Sequence, residues 1–504
     1  MDPPENDRYN PSRPPKYDLS RIPMRSQATY WETIERLGAA TTKKERSEIT
    51  KATGVSRLPL CAASVAFMHP TFFPLDPFHL FYENIMAFIW DIWTVLSKPG
   101  EIVHLPAEKA QELGRLIHLA MSTLPPAFCG PIRDPYLKRQ SQYKVYEWMA
   151  LLHWYIIPIG IEIGMDPTVL QNFSRFVAAI EFAMTIQPRE DGELQELHEI
   201  IAAFLAEYER LYIGNNPDKI LRARLCIFQL IHVPHHIQWN GSIRVGSQAT
   251  VERSIGEMGH KIRSRKAPFA NLANLIYERE LVKILSLYYP IVDQNVSAQD
   301  NQDNSDLGSS NFMQESLVHK RKQMPQDVLA ELQALADWLK IDLFADGVTV
   351  RRWGKFKLLN GYVLGSRSST RKAQSARRSE WFEAINTTDV PPRSASDFNV
   401  TFGEALAFYQ VKTTASSHAL VIYWKLERLE RILNVPRGVW NRHTPMVANV
   451  VDILNIVGIW TAPETSGRTY ILRKHPGLAM LSKEESGIPA PDGEMAVNGE
   501  GSQA

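Results

Sequence analysis

The amino-acid sequence predicts a mainly α protein with a smaller β-containing module toward its C-terminal side. Three observations predict it. Apolar residues recur at helical spacing in long segments between residues 78 and 290. The composition then changes over VDQNVSAQDNQDNSDLGSSN, residues 292–311, which has almost no side chain large enough to pack. Beyond residue 345 come short runs rich in β-branched and aromatic residues, among them GYVLGS, FNVTFGEALAFYQVKT and SHALVIYWKL.

Taken in order, residues 1–25 read as a polar, proline-rich leader without the apolar core of a secretion signal. Residues 26–290 read as one helical region. In it YWETIERLGAATTKKERSEITKA is charged and helix-favouring, and Gly54 stops it. Phe78, Phe81, Tyr82, Ile85, Ile89 and Trp93 form an apolar stripe down one helix face. Further helices are expected at about 107–122, 140–160, 166–186, 193–213 and 217–232, separated by breakers such as PPAFCGP and GNNPD. Residues 291–325 read as a linker, 326–478 as a basic helix-plus-β module, and 479–504 as a tail rich in Gly, Glu, Ser and Pro.

A chain of 504 residues has room for two or three domains. Its net charge of +1 gives no global attraction to nucleic acid or membrane, so any such signal must be local. Cys61, Cys129 and Cys226 are odd in number and far apart, which fits a reducing, intracellular compartment rather than a disulfide framework. The most apolar stretch, WMALLHWYIIPIGI at 148–161, falls short of the roughly 20 residues that cross a bilayer and reads as a buried core helix; no membrane partner is expected.

Four clusters have residue types that carry chemistry. In TFFPLDPFHLFYENI, Asp76 stands between Pro74 and Pro77 at the mouth of a helix. Capping that helix and ligating a metal are both open to it, and the two are compatible. His79 lies one turn on, within reach of the carboxylate. In IHVPHHIQWNGSIRVG, His232 and His236 have the spacing of a zinc pair, but no HExxH glutamate lies between them and Pro234 intervenes, so buried structural histidines are the plainer reading. In the third cluster, SQATVERSIGEMGHKIRSRKAPFANL, Glu252 and Arg253 precede Lys261, Arg263, Arg265 and Lys266. A carboxylate beside a basic strip suits phosphodiester chemistry, and a solvated basic face gives the same composition. The fourth, Arg351 to Arg378, has nine Lys or Arg and no Asp or Glu, with Trp353, Phe356 and Tyr362 interleaved. Arg351, Arg352, Lys355 and Lys357 are placed to follow a phosphate backbone, and the stretch also has the composition of a solvent loop.

Together the first three of these clusters resemble the C-terminal part of CACTA-type (En/Spm-like) DNA transposases, particularly the fungal branch called Plavaka. The resemblance is carried by KATGVSRLPL, by FPLDPFHLFYEN with Asp76, His79 and Asn84, and by HVPHHIQWNG, VERSIG and IRSRKAPFANL, over roughly residues 30–290. It implies a large helical insertion attached to a truncated RNase H-like core. Asp76 and Glu252 would be two of three acids that hold Mg²⁺ or Mn²⁺, with His79, Asn84 and His236 orienting them, and DNA as partner in the nucleus. The family's first catalytic aspartate lies upstream, in a β-hairpin region that this chain does not contain. The resemblance therefore implies a transposase-like protein, N-terminally truncated and without strand-transfer activity, which retains DNA binding. A helical interaction scaffold without DNA affinity is the alternative, or an active transposase if an upstream exon restores the missing acid.

Overall fold

The computed structural model describes residues 25–138, 143–262, 266–289, 312–316, 325–369, 377–385, 400–463 and 467–475. The expected leader, the tail and almost all of the expected linker fall outside these residues, as do Arg263 and Arg265. The described chain is mainly α with an antiparallel β module in its C-terminal part. It divides into two compact units, each drawing on two stretches. A helical unit takes residues up to Ala107 and Met165–Gln248; a sheet unit takes Glu108–Gly164 and Ala249 onward.

The helical unit begins with two capped helices. Ser26 and Thr29 form a reciprocal capping pair at the start of Gln27–Ala39, and Thr42 with Glu45 does the same for Lys43–Thr53. The expected single helix from Tyr30 onward is thus two, because Thr42 satisfies a new set of first-turn amides. Gly54, at φ 73°, ends the second in the left-handed conformation that favours glycine. A rod from Phe78 to Leu96 follows, in which α-helical turns alternate with wider π-helical ones. Its stripe is buried as the spacing predicts: Phe81, Tyr82, Ile85, Ile89 and Trp93 all lie in the core.

Helix Pro167–Ala183 starts on an Asp166 cap followed by proline, and packs beside Asp191–Tyr208. Between them Phe176 stacks on Phe204, and Asn172 donates to the Phe204 carbonyl at 3.0 Å. Trp93 donates to the Tyr212 hydroxyl at 3.0 Å, tying the rod to this pair. Residues 217–232, expected as one helix, are three short turns. Pro217 opens the first on an Asn216 cap, and the backbone leaves helical geometry at Ala223.

Among the described residues of the sheet unit ten strands form one antiparallel sheet. They are β1 Phe312–Ser316, β2 Thr349–Lys357, β3 Val363–Gly365, β4 Trp381–Ile385, β5 Val400–Lys412, β6 Ser417–Ile432, β7 Val435–Asn449, β8 Ile453–Ile456, β9 Gly458–Thr461 and β10 Thr469–Leu472. The path runs β1-β2-β5-β6-β7-β10-β9, with β3 on β2 and β4 bridging β5 to β8. Register shifts in β5 and β6 curl the long central strands. Gly403 is required at this bend, since a Cβ there would lie 2.5 Å from the Phe382 ring. Helix Gln326–Leu339 lays Leu332 and Leu335 on Leu406, Tyr409, Leu420 and Ile422.

Helical residues 108–164 belong with this sheet. The helical rod Val145–Glu162 is buried along most of its length, as the apolar stretch 148–161 predicts. Trp154 donates to the Arg473 carbonyl at 3.0 Å, and Tyr470 donates to Glu162 at 2.6 Å. Arg377 donates to the carbonyls of Leu124, Pro125 and Cys129. Among the described residues no helix is long and apolar enough to cross a membrane.

Candidate functional site

Asp76 sits in the helical unit on the turn that opens the Phe78–Leu96 rod. One oxygen accepts the Phe78 amide at 3.1 Å, the bond a capping aspartate makes. The same oxygen accepts the backbone amide of Gln248 at 3.1 Å, although the two residues are 172 apart in the chain. The other oxygen pairs with Nδ1 of His79, whose Nε2 lies 3.4 Å from Glu83. Exposure rises along this line: the Asp76 side chain is 11% exposed, His79 30% and Glu83 52%. An imidazole between an inner and an outer carboxylate is held in orientation and can pass a proton between them.

The return of the chain to Asp76 has a local cause. Helix Val233–Asn240 ends at Gly241, φ 75°, and Ser242 caps the tight turn Ile243–Gly246. Gly246 lies flat on the Asp76 loop, where an added Cβ would meet Pro74 at 3.0 Å and the Leu75 carbonyl at 3.1 Å. Beside this contact is a cleft of about 350 Å³, walled by Met68, Phe72, Pro74 and Val245 and reached by His236 and Asn240.

Burial disfavours the charged form of His232, His235 and His236. It lowers His236 to about 4, with His232 and His235 adding repulsion, and it lowers His232 and His235 in the same direction. A histidine depressed in the fold takes up its proton more readily when unfolded. Stability is therefore expected to be full above the ordinary histidine range, near 6.5, and to fall as pH drops toward about 4. Urea titrations at pH 7 and pH 5 should show this loss, and His236→Gln should reduce it.

The other expected residues divide between the units. Asn84 is exposed on the Phe78–Leu96 rod. Glu252 follows Gln248 by four residues, exposed on helix Ala249–Lys261 of the sheet unit, and Arg253 and Lys261 fall on the same helix. Lys266 is exposed just ahead of helix Pro268–Tyr288. On β2 the residues alternate between faces. Arg351 and Lys357 are exposed and Lys355 partly so, whereas Arg352 turns inward to Glu331 at 3.0 Å and to the Tyr409 hydroxyl. Two members of the Asp76 group carry no sequence signal as site residues. Gln248 contributes only its backbone, and Glu83 is marked solely by its four-residue offset from His79.

No family model, curated protein or solved structure matches the chain.

Chemically, Asp76 is a carboxylate held by two amides and an imidazole. Among the described residues no three His, Cys, Asp or Glu side chains gather closely enough to hold a metal ion. A cation at Asp76 would have to share oxygens that already accept three hydrogen-bond donors. No metal-borne step is assigned to these residues.

Proposed function

We propose that the chain is a transposase-derived DNA-binding protein of CACTA-like ancestry, with the remnant of an RNase H-like core around Asp76 and no strand-transfer activity of its own. One observation carries this reading: the Gln248 amide bonds the Asp76 carboxylate, so the stretch between the HVPHHIQWNG and VERSIG segments of the resemblance returns to the Asp76 motif. A helix cap needs only local donors, and this carboxylate recruits a distant one. The pairing of His79 with Asp76 agrees with the orienting role that the resemblance gives it. Nuclear location and a DNA partner belong to the same proposal.

On the sheet unit, Arg351, Lys355 and Lys357 are the cations offered to a phosphate backbone, with Trp353 on the same face of β2. The test is duplex binding as a function of salt. Each phosphate contact contributes a slope of about 0.9 in log K against log salt, so neutralising all three is expected to reduce the slope by about 2 to 3. The same preparations given Mg²⁺ or Mn²⁺ are expected to leave labelled duplex intact; nicking that disappears in Asp76→Ala would overturn the claim of inactivity.

A second reading is favoured by helix Pro268–Tyr288. None of its residues is buried, and it exposes Phe269, Tyr277, Leu281, Ile284, Leu287 and Tyr288. Exposed apolar surface of this extent marks protein–protein contact, as a helical scaffold would use. Duplex affinity that does not respond to salt or to the β2 substitutions would favour the scaffold.

A further inference from the structure

The sheet unit holds a cavity of about 380 Å³ between helix Gln326–Leu339 and strands β5, β6 and β7. Beside it lies Glu404 of β5, a carboxylate only 1% exposed. A buried charge of this kind is stable only when paired and hydrogen-bonded. Glu404 is paired twice: one oxygen accepts Arg367 Nη1 at 3.2 Å and the other accepts Arg442 Nη2 at 3.0 Å. Both guanidiniums also lie over the Trp424 ring, at 4.8 and 5.5 Å from its centre. Arg367 is fixed further by its own backbone, whose amide donates to the Ala405 carbonyl at 2.9 Å.

These contacts immobilise the two guanidiniums without consuming them. Each has five N–H donors, and Glu404 takes one from each. About half of each arginine side chain stays open, 52% for Arg367 and 50% for Arg442. Two guanidiniums against one carboxylate leave a net positive charge at the cavity mouth. The wall carries three further charges, on Glu331, Arg352 and Asp327. Glu331 accepts from Arg352 and from the Tyr409 hydroxyl; Asp327, which accepts the Val328 amide, adds a negative charge on the helix side of the wall, so the positive excess is local to Arg367 and Arg442. Ser368 adds a hydroxyl and His443 an imidazole to the same wall.

We propose that Arg367 and Arg442 form a fork for a phosphate monoester. Planar guanidiniums match tetrahedral phosphate oxygens through paired donors, which a lysine ammonium does not do. The cavity behind the fork falls within the 300–1,000 Å³ typical of small-molecule sites and has room for the organic group that bears the phosphate. That group is either a small organic phosphate or the end of a nucleic-acid strand. The site needs neither Asp76 nor Arg351, Lys355 and Lys357 of β2, so it goes beyond the function proposed above.

Isothermal titration of the full chain tests it, using adenosine 5′-monophosphate and a short 5′-phosphorylated single strand, each against its unphosphorylated counterpart. The phosphorylated probes are expected to bind more tightly than their counterparts. Replacing both arginines, Arg367→Lys with Arg442→Lys, keeps positive charge beside Glu404 while removing the fork, and is expected to weaken binding about tenfold. Thermal melting of that variant checks that the unit still folds. Tighter binding of the mononucleotide identifies a small phosphate, and tighter binding of the strand identifies a strand end. Equal binding of a probe and its unphosphorylated counterpart, or of the wild type and a folded double-lysine variant, overturns the proposal.

Discussion

Arg222→Ala is expected to destabilise the helical unit by about 3–5 kcal/mol, the usual cost of removing one partner of a buried ion pair. Arg222 is 5% exposed, and each terminal nitrogen of its guanidinium makes two hydrogen bonds. It donates to both oxygens of Glu101, at 2.6 and 3.1 Å, and to the carbonyls of Tyr212 and Leu96. Leu96 is the last residue of the rod that Asp76 opens, so Arg222 satisfies the far end of the element on which the candidate site is built. Alanine leaves two carbonyls without this donor and leaves Glu101 with Lys219 and the Lys98 amide. Chemical denaturation monitored by tryptophan fluorescence measures the loss.

The same pair predicts a dependence on acid. Its hydrogen bonds to Arg222 hold the Glu101 carboxyl at about 2, well below the ordinary value of 4.5. The unfolded chain therefore binds the proton more readily between those two values, and stability rises with pH across that window. The contribution is complete above about 4.5 and is lost as pH falls through about 2. With Glu101 14% exposed, it is on the order of 2–3 kcal/mol. In Arg222→Ala this part of the acid profile should flatten.

Local signals in the sequence foretold local structure. The Phe81–Trp93 stripe and the Gly54 stop follow from side-chain period and capping chemistry, which act within a few residues. Asp76 and His79 were legible for the same reason, since three residues on a helix bring side chains together. The amide of Gln248 was not. A backbone donor leaves no mark in residue type, and its position depends on the turn at Ile243–Gly246 fitting the Pro74–Leu75 loop. The inward turn of Arg352 was hidden in another way. Adjacent cations look alike in composition, and only the two-residue period of β2 separates Arg351 from Arg352. The association of helices 108–164 with strands more than 200 residues later rests on contacts such as Trp154 with Arg473, which no window of sequence contains.

That association rests on a second buried charge. Glu147, 0% exposed, lies on the rod Val145–Glu162 and accepts four hydrogen bonds. One oxygen takes the Arg133 amide at 2.9 Å and its Nε at 2.8 Å; the other takes Arg133 Nη2 at 2.5 Å and the Lys144 amide at 2.7 Å. The bidentate arginine fixes the loop before the rod, and the Lys144 amide is a first-turn donor that would otherwise be orphaned. Glu147→Ala is expected to cost about 3–5 kcal/mol, because it unpairs Arg133, opens a void and leaves two backbone amides without acceptors. Glu147→Gln keeps the shape but turns one acceptor into a donor facing other donors, so it should recover only part of that loss. Differential scanning calorimetry of the three proteins orders them, and the effect should appear in the transition that melts the sheet, since the rod holds Tyr470 through Glu162 and Arg473 through Trp154. A sheet transition unmoved in Glu147→Ala would mean that the rod and the strands unfold independently.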